Sequence, residues 1–247
     1  MGEIKNLFDV YGRNARLYPA ILVMVPLMAL PGVLRTVQAV SSFAIATLFG
    51  IALLYALTHI VRAMGKRAEV RLLAGWGGLP TTRWLLWSDP TLDSTTKHRY
   101  HEFLRGKGLA MPSVQDERAD PIRARERLAS AVTWLRNNRR EDAYRILHGE
   151  NASYGFRRNL YGAKPLGIAL SVIGACVSAG LAAVALLRSP VPTLLDSLNA
   201  IPSELCIGFA VSVAWVIGWL LVTPAWVRES AELYAKALLE TCDAPSP

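Results

Sequence analysis

The sequence predicts an all-α integral membrane protein: four transmembrane helices, with a helical cytoplasmic domain inserted between the second and the third. Three observations predict it. Four apolar runs, at 17–34, 41–61, 165–187 and 203–222, approach the ~20 residues with which an α-helix crosses ~30 Å of hydrocarbon. No Asp, Glu, Lys or Arg lies well inside any of them, as the cost of an unpaired charge at that depth requires. The stretch between the second and third runs, 62–164, carries 20 Lys or Arg against 11 Asp or Glu, more than the +8 net charge of the whole chain. A soluble domain of 247 residues with 52% hydrophobic residues rarely places them in runs this long.

The elements follow in order. In residues 1–16, Ile4, Leu7, Phe8 and Tyr11 recur at helical spacing, which predicts an interfacial helix lying on the headgroups, with Tyr18 at the boundary. Residues 17–61 form spans one and two. The first has a basic leader but no small-x-small cleavage site, so it reads as a retained span and not a signal peptide. It contains Pro19, Pro26 and Pro31; Pro19 suits a first turn, Pro26 predicts a kink, and Pro31-Gly32 a bend or end. The second span continues past His59 and Arg62 as a helix over 64–73, until Gly75, Gly77 and Gly78 break it.

The cytoplasmic domain, 62–164, reads as helical throughout. Asp93 caps a helix that runs from Ser94 to Arg105 and stops at Gly106. Asp120-Pro121 opens another, with Leu128, Ala131, Val132 and Leu135 on one stripe. A last helix starts near Glu141 or Asp142 and is expected to bend at Gly149 or Gly155. Spans three and four occupy 165–222. Beyond Pro224, Val227, Ala231, Tyr234 and Leu238 mark a C-terminal cytoplasmic helix within 223–247, long enough to pair with the inserted domain or with another subunit.

Charge fixes the orientation. Of 27 basic residues, only Arg35 and Arg188 fall in the two connections opposite the insert. The positive-inside bias therefore places both termini and the inserted domain in the cytoplasm, as expected of a multi-pass protein of the bacterial inner membrane.

The chemistry of common catalytic motifs is missing. There is no Walker A loop, no G-x-G-x-x-G on a strand, no H-E-x-x-H and no G-x-S-x-G. Cys176, Cys206 and Cys242 are too dispersed for a metal cluster. His98 and His101, with Glu102, have the spacing of two metal ligands but lack an evident third, so they read as an ordinary helix surface. No catalytic residue, metal or cofactor is assigned.

Two clusters suggest ligand binding. The first, Gly75 to Trp84 followed by Trp87 and Asp89, joins flexible glycines, hydroxyls, Trp76, Arg83 and Trp84; such a set can cradle a phosphate and stack a base, or anchor at headgroups. The second, 151–164, contains Arg157, Arg158 and Lys164 among aromatics directly before the third span, where a snorkelling girdle is the alternative. The two flank the insert and are expected to form one pocket if they meet. Ser171, Gly174 and Ser178 on span three, and Ser212 on span four, make a small-residue face, suited to close helix packing or to lining a pore.

The runs Trp76-Gly77-Gly78-x-Pro80-Thr81-Thr82, Thr96-Lys97-x-Arg99-Tyr100-His101 and Asn151-x-Ser153-Tyr154-Gly155-Phe156-Arg157-Arg158-Asn159-Leu160 resemble small bacterial membrane effectors of anti-phage operons that include a nucleotidyltransferase, the Hailong-type systems. The resemblance covers the insert better than the spans. It implies a homo-oligomeric ion channel that depolarises the inner membrane. Its control would come from a nucleotide or short oligonucleotide made by the partner nucleotidyltransferase. It carries over no individual ligand contact.

The expected function is a ligand-gated membrane effector and not an enzyme. One alternative is a scaffold or accessory subunit that docks a cytoplasmic partner. The other is a lipid- or phosphate-processing membrane enzyme using Asp89, Asp93, His98 or His101.

Overall fold

The computed structural model describes residues 10–30, 43–140, 142–188 and 201–243. Among them there is no strand, and the all-α class holds. The elements are α1 (Val10–Gly12), a π-helical turn (Arg13–Leu17), α2 (Tyr18–Met28), α3 (Phe43–Trp76), α4 (Pro80–Arg83), α5 (Ser94–Gly106), α6 (Val114–Ala119), α7 (Pro121–Asn137), a 3₁₀ turn (Asp142–Tyr144), α8 (Arg145–Arg188), α9 (Ser203–Leu221) and α10 (Pro224–Glu240). Three of these, α3, α8 and α9, are long and apolar enough to cross a membrane. The first apolar run forms only the 11-residue α2, about 16 Å at 1.5 Å per residue, within the described part. Residues 1–9 of the expected interfacial helix, Pro31-Gly32, and most of both connections opposite the insert lie outside the described residues.

The chain divides into two compact units. The span unit comprises Met1–Ala68 and Phe156–Thr223, and the second unit Glu69–Gly155 and Pro224–Pro247. Helices α3 and α8 belong to both. This division relocates the charge. Residues of the span unit include 11 Lys or Arg against 4 Asp or Glu, and those of the second unit 16 against 15. Six of the insert's nine excess positive charges thus belong to the helix segments adjoining the apolar runs, at Arg62, Lys66, Arg67, Arg157, Arg158 and Lys164.

Within the span unit, prolines shape the first helix and side chains from elsewhere complete it. Tyr18 donates its amide to Arg13 O, one residue beyond the α-helical partner, just before Pro19 enters the helix. Pro19 has no N–H for the Ala15 carbonyl four residues back, and Asn159 Nδ2 donates to that carbonyl at 2.6 Å. Pro26 likewise leaves the Leu22 carbonyl, and the Trp215 indole N–H donates to it at 2.8 Å. The helix continues past Pro26 to Met28. Helices α3 and α8 meet backbone to backbone at Gly65 and Gly162, where a Cβ on Gly162 would lie 2.5 Å from Gly65 Cα. Only glycine fits there.

The second unit follows its caps. Gly77, at φ +76°, stops α3 in a Schellman turn, with Gly78 N donating to Leu73 O at 2.9 Å. The break therefore falls at Gly77-Gly78, and Gly75 remains helical. Asp93 accepts from Thr96 N and caps α5; Asp120 accepts from Arg123 N, with Pro121 in the first turn of α7. The α7 stripe is buried at Leu128, Ala131, Val132 and Leu135, and that of α10 at Val227, Ala231, Tyr234 and Leu238. Two short helices were not expected. Pro80 starts α4, and Ser113 with Asp116 forms a reciprocal capping box on α6.

The largest departure is α8. The expected helix from Glu141 or Asp142, bending at Gly149 or Gly155, and the separate span from Pro165 are one helix of 44 residues. Each glycine costs a helix only about 1 kcal/mol, which flanking packing outweighs. Ala152, Tyr154, Leu160 and Ala163 are buried along this stretch. Pro165 lacks one donor and leaves the helix unbroken.

Candidate functional sites

The second unit suspends an irregular loop on three buried titratable side chains. Glu117 accepts from the amides of Trp87 at 2.7 Å and Ser88 at 3.0 Å. Lys97 Nζ donates to Leu86 O at 2.7 Å and to Asp89 O at 2.5 Å. His101 Nε2–H donates to Leu85 O at 2.8 Å, a bond that sets the tautomer because a carbonyl only accepts. The Trp87 ring packs on both His98 and His101, and its indole N–H reaches Pro112 O at 3.0 Å.

Burial governs the charge of these groups. It pushes the His101 imidazole below its ordinary value, and the cations Arg105 and Lys97 add to that, against the Leu85 hydrogen bond. Burial also lowers Lys97, with Asp89 and Glu117 opposing. For Glu117, burial alone would raise the carboxyl, but the hydrogen bonds from Ser88 and Trp87 outweigh it and hold the group below its usual range. Burial likewise lifts the Cys242 thiol to about 12, so it stays protonated at neutral pH.

The residues of the enzyme alternative are engaged in this scaffold. Asp89 pairs with Arg83 Nε at 2.9 Å and accepts from Thr91 N; Asp93 caps α5. His98 stacks on Trp87. Among the described residues no group of three or more His, Cys, Asp or Glu is placed to hold a metal ion.

The site residues of the two expected ligand clusters fall in different units, the second cluster itself being divided at Gly155. In the second unit, Arg83 is held by Asp89 and by Trp76 O, to which Nη1 donates at 2.8 Å. Trp76 is half-buried, and Trp84 is buried with its indole N–H unpartnered. A cavity of about 370 Å³ lies beside this cluster, lined by Gly77, Gly78, Thr82 and Arg83 and by Arg125 and Glu126 of α7. In the span unit, Arg157 is half-buried. Arg158 is buried and donates to Asn159 Oδ1 at 3.1–3.2 Å, while the Asn159 amide nitrogen serves Ala15. Lys164 Nζ donates to Val222 O at 2.8 Å and Leu220 O at 3.4 Å, at the end of α9 where helix carbonyls lack partners.

The small-residue face packs α8 against α9. Ser171 and Ser212 are fully buried and turn their hydroxyls onto their own helices, to Gly167 O and Gly208 O, both at 2.7 Å. Gly174 abuts Ser212, and Gly208 abuts Ser178. The Ser178 hydroxyl is buried without a partner. Beside them an apolar crevice of about 250 Å³ is lined by Leu22, Leu160, Trp215, Gly218, Trp219 and Val222.

A third cavity was missed by the sequence reading. It measures about 230 Å³, in the second unit, and is lined by Arg136 at the end of α7, Arg139 and Arg140 just beyond, His148 and Asn151 on α8, and Tyr234 on α10. Its one visible signal was the Arg139-Arg140 pair after a helix end; the approach of α8 and α10 to that pair is not encoded by local pattern. Comparison with protein-family models, with curated proteins and with solved structures finds no match to this chain.

Proposed function

We propose that the chain is a multi-pass effector of the bacterial inner membrane: four spans, a homo-oligomeric ion channel, and a cytoplasmic unit that senses a phosphate-bearing nucleotide or oligonucleotide. Anti-phage defence beside a nucleotidyltransferase is the setting that the resemblance of the insert suggests. The observation that carries the reading is the continuity of α3 and α8, each of which runs unbroken from the span unit into the second unit. A ligand that favours one arrangement of the second unit then acts on helices that also form the spans. Large apolar side chains exposed along α3 and α9, including Leu48, Phe49, Ile207 and Leu221, leave surface for lipid and for neighbouring subunits. A four-helix bundle fills its own interior, so conduction requires several copies around an axis.

The test is ion flux. Purified full-length protein in potassium-loaded liposomes is expected to change its leak when mononucleotides or short single-stranded oligonucleotides are added. Vesicles that stay equally tight with and without every such ligand reject the channel.

A further inference from the structure

We propose that the cavity bounded by Arg136, Arg139, Arg140, His148, Asn151 and Tyr234 is a phosphate site, which takes one phosphomonoester group and part of the moiety that carries it. It deepens the sensing role proposed above and rests on that reading for its link to gating, but binding itself stands alone.

The argument starts from Arg139. Its side chain is only 5% exposed, yet no carboxylate among the described residues pairs with it. Its Nε is buried with no partner. Its Nη1 and Nη2 reach only the carbonyls of Asn138 at 3.3 Å and Thr241 at 3.4 Å, beyond the best range for such bonds. The guanidinium lies over the rings of Tyr144 and Phe103, 5.2 and 5.6 Å from their centroids. Ring faces attract a cation but do not replace a counter-ion, and a buried charge without one is costly. An anion in the cavity removes that cost.

The surroundings fit an anion. Arg136 and Arg140 are exposed and line the same cavity, with Arg140 steadied by Asn137 Oδ1 at 2.7 Å. Among the described residues, none that lines the cavity is an Asp or Glu. This asymmetry is local, because the second unit as a whole is nearly balanced at 16 cations to 15 anions. The neighbouring cavity at Gly77 offers Arg83 already paired and Glu126 in its wall, which suits an anion less. Guanidinium forks match two phosphate oxygens at once, and the Asn151 amide adds a neutral donor. At about 230 Å³ the space is below the 300–1,000 Å³ of a drug-sized pocket, so it admits a phosphate and its immediate attachment, not a whole dinucleotide.

The same chemistry belongs to a soluble phosphate ester and to the headgroup of phosphatidic acid. In detergent, the full-length protein is titrated with inorganic phosphate and with adenosine monophosphate. In nanodiscs of phosphatidylcholine, its thermal unfolding is compared with and without phosphatidic acid. Arg136→Gln and Arg140→Gln change exposed side chains and leave the fold intact; each is expected to weaken binding about tenfold, the equivalent of one charge-assisted hydrogen bond. Arg139→Lys keeps the charge but loses the fork, with a loss at least as large. Binding of the soluble anions that these variants weaken identifies a soluble ester. Stabilisation by phosphatidic acid alone, again lost in the variants, identifies a lipid headgroup. No binding in either arm, or binding that Arg136→Gln and Arg140→Gln leave unchanged, overturns the site. Variant-sensitive binding with tight liposomes removes the channel and keeps the site; ligand-dependent flux without such binding does the reverse.

Discussion

The span unit buries Thr58, Asn159, Ser171, Ser178 and Ser212, with Arg158 its one buried charge among the described residues, whereas the second unit buries Lys97, His101, Glu117 and Arg139. The task is nevertheless shared. In both units, side chains satisfy backbone groups that regular helices leave unpaired. In the span unit these are carbonyls beneath prolines, met by the neutral donors of Asn159 and Trp215. In the second unit they are the amides and carbonyls of the loop around Trp87, met by Glu117, Lys97 and His101. The difference goes with composition: the apolar lengths of α3, α8 and α9 are long enough to cross a membrane. In hydrocarbon a charge finds no water to relax into, so neutral donors cost least beside such helices. In the second unit the oppositely charged Lys97 and Glu117 offset one another. The lesson is that the second unit's loop is held by mutually dependent charges, and the first helix by separable hydrogen bonds.

The largest expected effect comes from breaking the charged cluster. Glu117→Ala leaves the part-buried amides of Trp87 and Ser88 without acceptors and removes a countercharge from the buried Lys97, so a loss of about 3 kcal/mol is expected in denaturant unfolding of the second unit. Glu117→Gln keeps one acceptor oxygen and is expected to lose less. If Glu117→Ala unfolds within 1 kcal/mol of the parent, the loop is not suspended as described.

The neutral bonds give a smaller and more separable effect. Trp215→Phe keeps the ring and deletes the N–H donated to Leu22, at an expected cost of about 1–3 kcal/mol. Pro26→Ala returns a backbone donor to the same carbonyl. In that background the cost of Trp215→Phe should shrink, which a double-mutant cycle measures directly. Equal costs in both backgrounds would mean that Trp215 acts through packing alone.

These contrasts also mark what was legible in the sequence. Stripes and caps were: Leu128 to Leu135, Val227 to Leu238, Asp93 and Asp120 behave as spacing and residue type predict, because these are local rules. The membrane-compatible character of three helices was equally plain in composition. Partnerships across distant sequence were not. Nothing local links Pro26 to Trp215, Pro19 to Asn159, or Glu117 to the amide of Trp87. The unbroken α8 was misjudged because Gly149, Gly155 and Pro165 are weak breakers that packing overrides. Arg83 and Arg158 are ligand-binding candidates by residue type and neighbourhood, and each has a partner in the fold that local pattern does not reveal. Nothing in the local pattern marks Arg139 as buried, and it shares its burial with Arg158 alone among the described arginines.

Acid provides a third and gentler probe of the same contrast. His101 is held below its ordinary pKa, so the folded state takes up its proton less readily than the unfolded chain does. Its neutral form is fully accommodated above the unfolded value, about 6.5; as pH falls below that, the unfolded state gains protons and stability declines until the folded value is passed. Glu117, also depressed, adds a second decline beginning near the ordinary carboxylate range. Hydrogen exchange at the Trp87 and Ser88 amides should therefore accelerate between pH 6.5 and 4 after correction for the intrinsic rate. Exchange at buried amides of the span unit, which contains neither group, should not follow. Parallel behaviour of the two sets would reassign the loss to the protein as a whole.

The smallest effect is expected where a charge pair has the better geometry but the worse location. Arg99 meets Asp243 through Nε and Nη2 at 2.6 and 2.9 Å, a bidentate arrangement closer than any contact Arg139 makes. Both side chains are open to water, at 53% and 38% exposure, so solvent supplies nearly what the pair does once it is broken. Arg99→Gln should leave the unfolding midpoint unchanged within error, at low salt as well as high. Arg139→Gln, which removes a buried cation with poorer hydrogen bonds, should shift it. A larger response at Arg99 than at Arg139 would show that pair geometry outweighs burial in this unit, and would break the contrast between its surface and its interior.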